Sequence, residues 1–361
     1  MRIAYGLAGE GRGHSTRAVT LVPHLLAQGH TVEFFTCCQA VEPLVSEGYI
    51  VYELPTPRIQ YRNDQPSSLK TALQYPFWFF QHRSKIIDLA QYLCQEEYDV
   101  VISDYEPLLS RSAKLAHIPL VIYNNQSFAT HCSLPDGFTN GDKLGKAKLA
   151  KINQIICPDA DVVIIAKALP DKSLVNKNRT HLVGPPIKKE IQNKSWQGQN
   201  SDFIMMYVRP SIKPYLPVIK EFANSQGCRL RLYVASESFD LDDPDIEIVP
   251  AGPQFSQDMM TCRYLITNAG ASTIGEACHI GCPIILIAEP RQIEGELNAK
   301  LTDHYYPNAV CVKLNKVSKE SLEEAVQGFS GLGECHIDDG SAEVAQIINQ
   351  FLEEYYSDRT T

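Results

Sequence analysis

The chain alternates short, wholly apolar runs with helix-length segments, and it does so twice. Ile3-Ala4-Tyr5, Thr31–Thr36, Val100-Val101-Ile102, Leu120-Val121-Ile122 and residues 162–165 form the first set of runs. Phe203–Val208 and residues 230–234, 246–249, 264–267, 283–287 and 309–312 form the second. Val/Ile runs without polar alternation suit strands buried on both faces, the condition of a parallel sheet covered by helices. The segments between them have helical spacing. Residues 15–28 place Ala18, Leu21, Val22, Leu25 and Leu26 on one face and stop at Gly29. Residues 75–93 also read as helical, as do 213–225, 254–262, 272–280, 296–305, 319–328 and a closing segment at 341–356. The pattern breaks once, at Gly184-Pro185-Pro186 and the polar stretch 188–199, which has the signature of a linker. The fold class expected is α/β, with two doubly wound Rossmann-like domains facing a cleft. The expected boundaries are 1–185, a linker at 186–201, 202–340, and a C-terminal helix and tail at 341–361. Such sheets bind ligands at the carboxyl ends of their strands, and the cleft between two of them is the natural site.

Composition narrows the function. Hydrophobic residues make up 44% and charged residues 21%, which excludes a mainly disordered chain. A net charge of −9 argues against nucleic-acid binding but leaves room for one local basic site holding a small anion. The longest apolar stretches fall far short of the ~20 residues of a membrane span. Met1 runs directly into Arg2-Ile3-Ala4-Tyr5-Gly6 without a leader, so a cytoplasmic protein is expected. Of the eleven cysteines none is paired at the two-residue spacing of a zinc or redox motif, and Cys37-Cys38 and Cys278/Cys282 read as reduced thiols in or near the core.

Gly6-Leu7-Ala8-Gly9-Glu10-Gly11-Arg12-Gly13-His14 joins the first strand to the first helix. Glycines there allow close backbone approach, and a helix amino end holds or polarises an anion. The spacing is G-x-G-x-G, and the second strand ends at Thr36 without an acid, so a dinucleotide cofactor is disfavoured. No Gly-Lys-Ser/Thr follows, so this is not a P-loop. His14 stands at the helix start, where a neutral imidazole can take a proton from a hydroxyl; the plainer role is a cap. Asp104 ends a strand facing the same cleft. It is a candidate to orient His14 or to act as base, against the commoner role of a turn aspartate.

In the second half, Asn268-Ala269-Gly270-Ala271-Ser272-Thr273-Ile274-Gly275-Glu276 follows a strand. Gly270 and Ala271 permit a tight turn, and Ser272 and Thr273 open a helix whose free N–H groups and hydroxyls suit an anion. Glu276 reads either as the partner of Ser272 in a capping arrangement or as an acceptor for a ribose diol. The polar segment from Glu289 through Gln292 and Glu294 to Ala299 follows the next strand and is otherwise a solvated loop and helix start.

Taken in order, these motifs resemble the MurG-like (family 28-type) inverting group of GT-B glycosyltransferases, in a microbial branch of it. The group's G-A-[ST]-T-x-x-E is matched by Gly270 to Glu276, its G-x-P by Gly281-Cys282-Pro283, and its Q-x-E-Q-x-x-N-A by Gln292 to Ala299. Its G-x-G-x-G-H-x-x-R-A is matched by Gly9 to Ala18 through Arg17. The resemblance implies a GT-B fold whose C-terminal helix crosses back to the first domain. It implies an acceptor-binding first domain, with Gly11, Arg12 and Gly13 on the acceptor side, and a second domain that binds a nucleotide sugar, with a UDP-sugar as the expected donor. It implies that Gln292 and Glu294 approach the sugar or ribose, that Arg209 and Ser211 contact phosphate in place of a glycine-rich loop, and that no metal or other cofactor is needed. Lys188 stands where relatives carry a basic linker residue. The second Gln of the motif is Gly295 here, which implies a changed sugar contact. Two alternatives follow: a UDP-sugar epimerase of the same fold, recruiting Asp104 and Glu106, and a non-catalytic nucleotide-sugar-binding protein.

Two further features need weighing. Asp243-Pro244-Asp245 spells D-x-D but sits in an acidic loop and reads as a solvated turn. Pro76-Phe77-Trp78-Phe79-Phe80-Gln81-His82-Arg83 is strongly aromatic. Its plain reading is a buried helix; relatives that glycosylate lipids imply a peripheral contact at the inner face of the membrane. The acceptor, expected to carry a hydroxyl on a lipid, a cell-envelope glycan or a small molecule, is not specified further by any motif.

Overall fold

The computed structural model describes residues 1–10, 12–57, 61–62, 65–66, 68–234, 243, 245–250, 252–290 and 292–360. Strand β1 (Arg2–Leu7) leads into helix α1 (Arg12–Ala27), followed by β2 (Thr31–Thr36), α2 (Val41–Ser46) and the short β3 (Val51–Glu53). A small hairpin, β4 (Tyr61–Arg62) and β5 (Gln65–Pro66), precedes α3 (Ser68–Gln81) and α4 (Arg83–Gln95). Then come β6 (Val100–Asp104), α5 (Pro107–Leu115), β7 (Leu120–Asn124), α6 (Phe128–His131), α7 (Asn140–Ile156), β8 (Val162–Ala166) and β9 (Thr180–Val183). The second half runs β10 (Phe203–Val208), α8 (Leu216–Ser225), β11 (Arg229–Val234), β12 (Ile246–Pro250), α9 (Gln254–Thr261) and β13 (Leu265–Asn268). It continues with α10 (Ala271–Ile280), β14 (Ile284–Ala288), α11 (Ile293–Tyr305), β15 (Ala309–Lys313), α12 (Lys319–Gln327) and α13 (Ser341–Thr360).

The first sheet has the order β3-β2-β1-β6-β7-β8-β9 and the second β12-β11-β10-β13-β14-β15. Neighbours in both pair in parallel. The central strands β6, β7, β8 and β14 are buried at every residue, as unbroken Val/Ile runs require when helices cover both faces. In each sheet the order reverses once, between β1 and β6 and between β10 and β13. Crevices open at the carboxyl ends of such strand pairs.

Helix α1 buries Ala18, Leu21, Val22 and Leu25 against the first sheet. The same core takes Val344, Ala345, Ile348, Phe351 and Leu352 of α13, so the chain's last helix returns from the second sheet to the first. The stretch that reads as a polar linker is anchored: Ile187, Ile191 and Trp196 are buried in the second core, and Trp196 Nε1 donates to the Cys262 carbonyl at 2.7 Å. Three well-spaced apolar anchors suffice to seat a polar segment, which is why its lack of period misleads. The two crossings of the chain touch each other. A Cβ on Gly184 would lie 2.3 Å from the Asp338 carbonyl oxygen, and the Gly340 amide donates to the Pro185 carbonyl. Backbone-on-backbone approach of this kind leaves space only for glycine.

The aromatic stretch differs from its plain reading as a buried helix. Leu73, Phe77 and Phe80 on α3 are 70%, 66% and 64% exposed. No described helix is long and apolar enough to cross a membrane. All eleven cysteines are free thiols.

Candidate active site

Both reversal points carry the residues that the motifs single out. In the first sheet Leu7 of β1 is in register with Asp104 of β6, and the Ala8 amide donates to the Asp104 carbonyl at 3.0 Å. The glycine-rich loop and the end of β6 are thereby held side by side. Gly9 has no room for a side chain, because a Cβ there would sit 2.3 Å from Cys37 Sγ at the end of β2. After Asp104 the chain turns through Tyr105 at φ +64°, a left-handed conformation costly for a non-glycine residue and common at functional sites.

His14, in the first turn of α1, places Nδ1 2.9 Å from Asp104 Oδ1. Neither atom has an aligned hydrogen-bond partner. The contact is therefore a close electrostatic pairing without hydrogen-bond alignment. Arg17, one helical turn further, donates Nε to the other carboxylate oxygen at 2.8 Å. Asp104 is fully buried and Arg17 nearly so. Burial alone would raise the carboxyl pKa, but Arg17 and His14 together hold it below the ordinary carboxylate value. Asp104 therefore stays ionised between the two cations, and its contact with Nδ1 leaves Nε2 of His14 unengaged by it. His14 is not a helix cap. Glu106 accepts from the Leu108 and Leu109 amides as the N-cap of α5, and burial pushes its pKa up to about 7. Its two oxygens are thus engaged in structure and not in the cleft, which removes one of the carboxylates an epimerase would recruit.

In the second sheet, α10 begins directly after β13. Its N-cap is Gly270, and no side chain caps it. The expected pairing of Ser272 with Glu276 is absent; Glu276 instead lies beside Lys188, with Nζ 3.3 Å from Oε1. Burial raises the pKa of Glu276 and Lys188 pulls against that rise. Gly270 adopts φ −74°, open to any residue, so its missing side chain serves close approach to the helix end and not a special turn. Glycine matters more at Gly275, where a Cβ would sit 2.6 Å from Pro185. The N–H groups of the first turn, with Ser272 and Thr273, are left for a ligand.

Arg209 and Ser211 follow β10, but both are held by one buried carboxylate. Arg209 Nη1 lies 3.2 Å from Glu289 Oε2, and Ser211 donates to Glu289 Oε1. A phosphate would have to displace Glu289 to reach them. Gln292 is the N-cap of α11 without a side-chain cap bond, and Glu294 lies in that helix's first turn. Gly295 adjoins Gln292, whose Cβ lies 3.8 Å from where a Cβ of residue 295 would be. Asp243 and Asp245 are both bound by Lys220, at 2.9 and 2.7 Å. Among the described residues no group of three His, Cys, Asp or Glu could hold a metal. Gly11 and the Arg12 side chain lie outside the described residues.

The two halves meet at the helix ends. A Cβ on Gly13 would come 3.1 Å from Ser272 Oγ, so the amino ends of α1 and α10 face each other across the cleft. Lys300 of α11 pairs with Asp142 of α7, and Lys167 at the end of β8 donates to Asn298 of α11. Residue spacing did not reveal Lys167, or the buried Nδ2 of Asn268, which has no partner at the end of β13. Arg17 carries a legible signal, its i+3 spacing from His14; Lys167 and Glu289 have none, because their partners are more than 70 residues away.

Two parallel α/β sheets, a His–Asp pair at the switch point of one and an uncapped helix end at that of the other define a GT-B glycosyltransferase. The model of glycosyl transferase family 1 matches residues 1–328. The chain is 27% identical over 332 residues to an uncharacterized glycosyltransferase of Methanosarcina mazei, covering 84% of this chain and 83% of that one. Among solved structures, the kitacinnamycin glycotransferase superposes with a TM-score of 0.66 at 15% identity, over 97% of this chain and 99% of that one. MurG of Acinetobacter baumannii does so with a TM-score of 0.60 at 15% identity, over 97% and 99%. The chain belongs to glycosyl transferase family 1.

Proposed function

We propose an inverting, metal-independent transfer from a nucleoside-diphosphate sugar, with a UDP-sugar as the expected donor, to an acceptor hydroxyl. The observation that carries this reading is the His14–Asp104–Arg17 chain set opposite the open amino end of α10. His14 Nε2 takes the hydroxyl proton. The acceptor oxygen forms a bond to the anomeric carbon from one face, while the bond from that carbon to the diphosphate oxygen breaks on the other. The electron pair leaves with the diphosphate, so configuration inverts. Asp104 keeps Nδ1 protonated and offsets the imidazolium charge as it forms.

The leaving group's charge falls on the N–H groups of α10 and on Gly270, Ser272 and Thr273, fixed dipoles that need no reorganisation. Glu276, beside Lys188, accepts from the ribose hydroxyls. Gln292 and Glu294 face the sugar. Arg209, about half exposed, is the member of the Glu289 cluster that exchanges its carboxylate partner for a phosphate. On the acceptor side stands Gly13, with Gly11 and Arg12 assigned to it from their place in the motif alone. The exposed Leu73, Phe77 and Phe80, with Arg83 stacked 4.6 Å over the Phe80 ring, support a peripheral membrane contact by the acceptor domain.

A thermal-shift panel of UDP, dTDP and GDP tests the donor assignment. A ligand at 100 times its Kd adds ~2.7 kcal/mol, and UDP is expected to give the largest shift. No shift with any of the three removes the nucleotide site. Glu276→Ala is expected to weaken UDP by ~1.5–3 kcal/mol through loss of hydrogen bonds to a charged group. Calorimetry finding unchanged affinity in the folded variant would take Glu276 out of the site. Transfer is expected to survive EDTA unchanged; loss restored by Mn²⁺ would instead assign the chemistry to Asp243 and Asp245.

A further inference from the structure

Lys167 ends up where a cation is costly. It follows β8 of the first domain, is only 6% exposed, and across the cleft it meets Asn298 of α11 and Ala271 and Ile274 of α10. Its Nζ donates to Asn298 Oδ1 of α11, and Asn298 in turn donates Nδ2 to the Ala269 carbonyl in the turn before α10. On its own side it lies 5.3 Å from the Phe128 ring. Among the described residues no carboxylate comes within ion-pair distance of it. Burial pulls its pKa down to about 8; Glu294 of α11 partly opposes this, as does Cys132, while Arg17 of α1 adds to it. A buried ammonium with one neutral acceptor is an expensive arrangement. Here it stands next to another positive element, because Ala271, the first residue of α10, lines the same small cavity. That cavity, bounded also by Ile274, Asn298 and Thr302, has about 10 Å³, the room of a single oxygen atom. Lys167 and the first residue of α10 come together from different domains on space for one oxygen, and the described residues that line it supply no anion.

We propose that Lys167 binds an anionic oxygen of the nucleotide-sugar donor, on its diphosphate or as a carboxylate on its sugar. The proposal rests on the reading of the cleft as a nucleotide-sugar site. It gives the acceptor domain a direct hand in holding the donor, so the cation reaches the donor only when the two domains close as they do here. It also offers a charge contact in a site where Gly295 makes none.

The test compares Lys167→Met and Lys167→Arg with the wild type by calorimetry, using UDP against uridine and UDP-glucuronate against UDP-glucose, with melting temperatures measured alongside. Lys167→Met is expected to keep or raise the melting temperature, since an uncompensated buried charge is replaced by an apolar side chain of similar length. If the diphosphate is the partner, UDP weakens about 10- to 100-fold in Lys167→Met while uridine changes less than about twofold, and Lys167→Arg recovers most of the loss. If the sugar carboxylate is the partner, UDP is unchanged, and a wild-type preference for UDP-glucuronate over UDP-glucose disappears. A Lys167→Met protein that binds all four ligands as the wild type does overturns the proposal. So does one that weakens all four equally with a lower melting temperature, the pattern of a mere domain clamp. A wild type that binds neither UDP nor either UDP-sugar overturns the donor reading itself, and the Lys167 assignment with it.

Discussion

Replacing His14 by alanine is expected to lower turnover by ~10²–10⁴-fold, the usual worth of a positioned general base. The nucleotide affinity should be nearly unchanged, because Gly270, Ser272, Thr273 and Glu276 lie on the other domain. The stability cost should be small. His14 caps no helix, and in its absence Asp104 keeps its bond to Arg17 at 2.8 Å. Steady-state kinetics, UDP calorimetry and a melting curve on one variant separate the roles. A folded His14→Ala protein with near-normal turnover would rule out the imidazole as base and turn attention to Asp104.

Asp104→Asn is expected to fail on two axes at once. The amide no longer selects the Nδ1-protonated imidazole, so turnover should fall by ~10²–10⁴-fold. It also leaves Arg17 buried beside a neutral group, which costs about 3–5 kcal/mol of stability when one partner of a buried pair is removed. The pH dependence has a definite sign. The native carboxyl titrates below the ordinary carboxylate value, so in the acid range the unfolded chain binds a proton that the native one does not. The stabilisation from Asp104 is then fully present above the ordinary carboxylate value and is lost as pH falls through the depressed native one. Denaturation of wild type and Asp104→Asn across that range should show the gap between them closing on the acid side. A constant gap would mean that the Asp104 charge does not stabilise the fold. His14→Ala and Asp104→Asn should also be strongly non-additive in turnover, because both disable one proton relay.

The sequence by itself determined the two parallel sheets, the helices between them and the two loops that carry the candidate site. The reason is local: an unbroken Val/Ile run has no solvated face to offer, and a glycine-rich turn between strand and helix leaves free N–H groups wherever the fold puts it. It also singled out His14, Asp104, Ser272, Thr273 and Glu276 as candidates, since each sits at the carboxyl end of a strand or in the helix that follows. Only the tertiary structure decided what each one touches. Asp104 is shared between His14 and Arg17, the latter 87 residues away and bonded to its second oxygen. Glu276 left its local partner Ser272 for Lys188, and Glu289 pairs with Arg209 and Ser211. The polar linker proved to be seated by three apolar side chains, while the aromatic face of α3 stayed outside the core. Lys167 carried no signal at all along the chain. Its significance arises from burial between two domains, and burial is a property of packing that residue spacing does not encode.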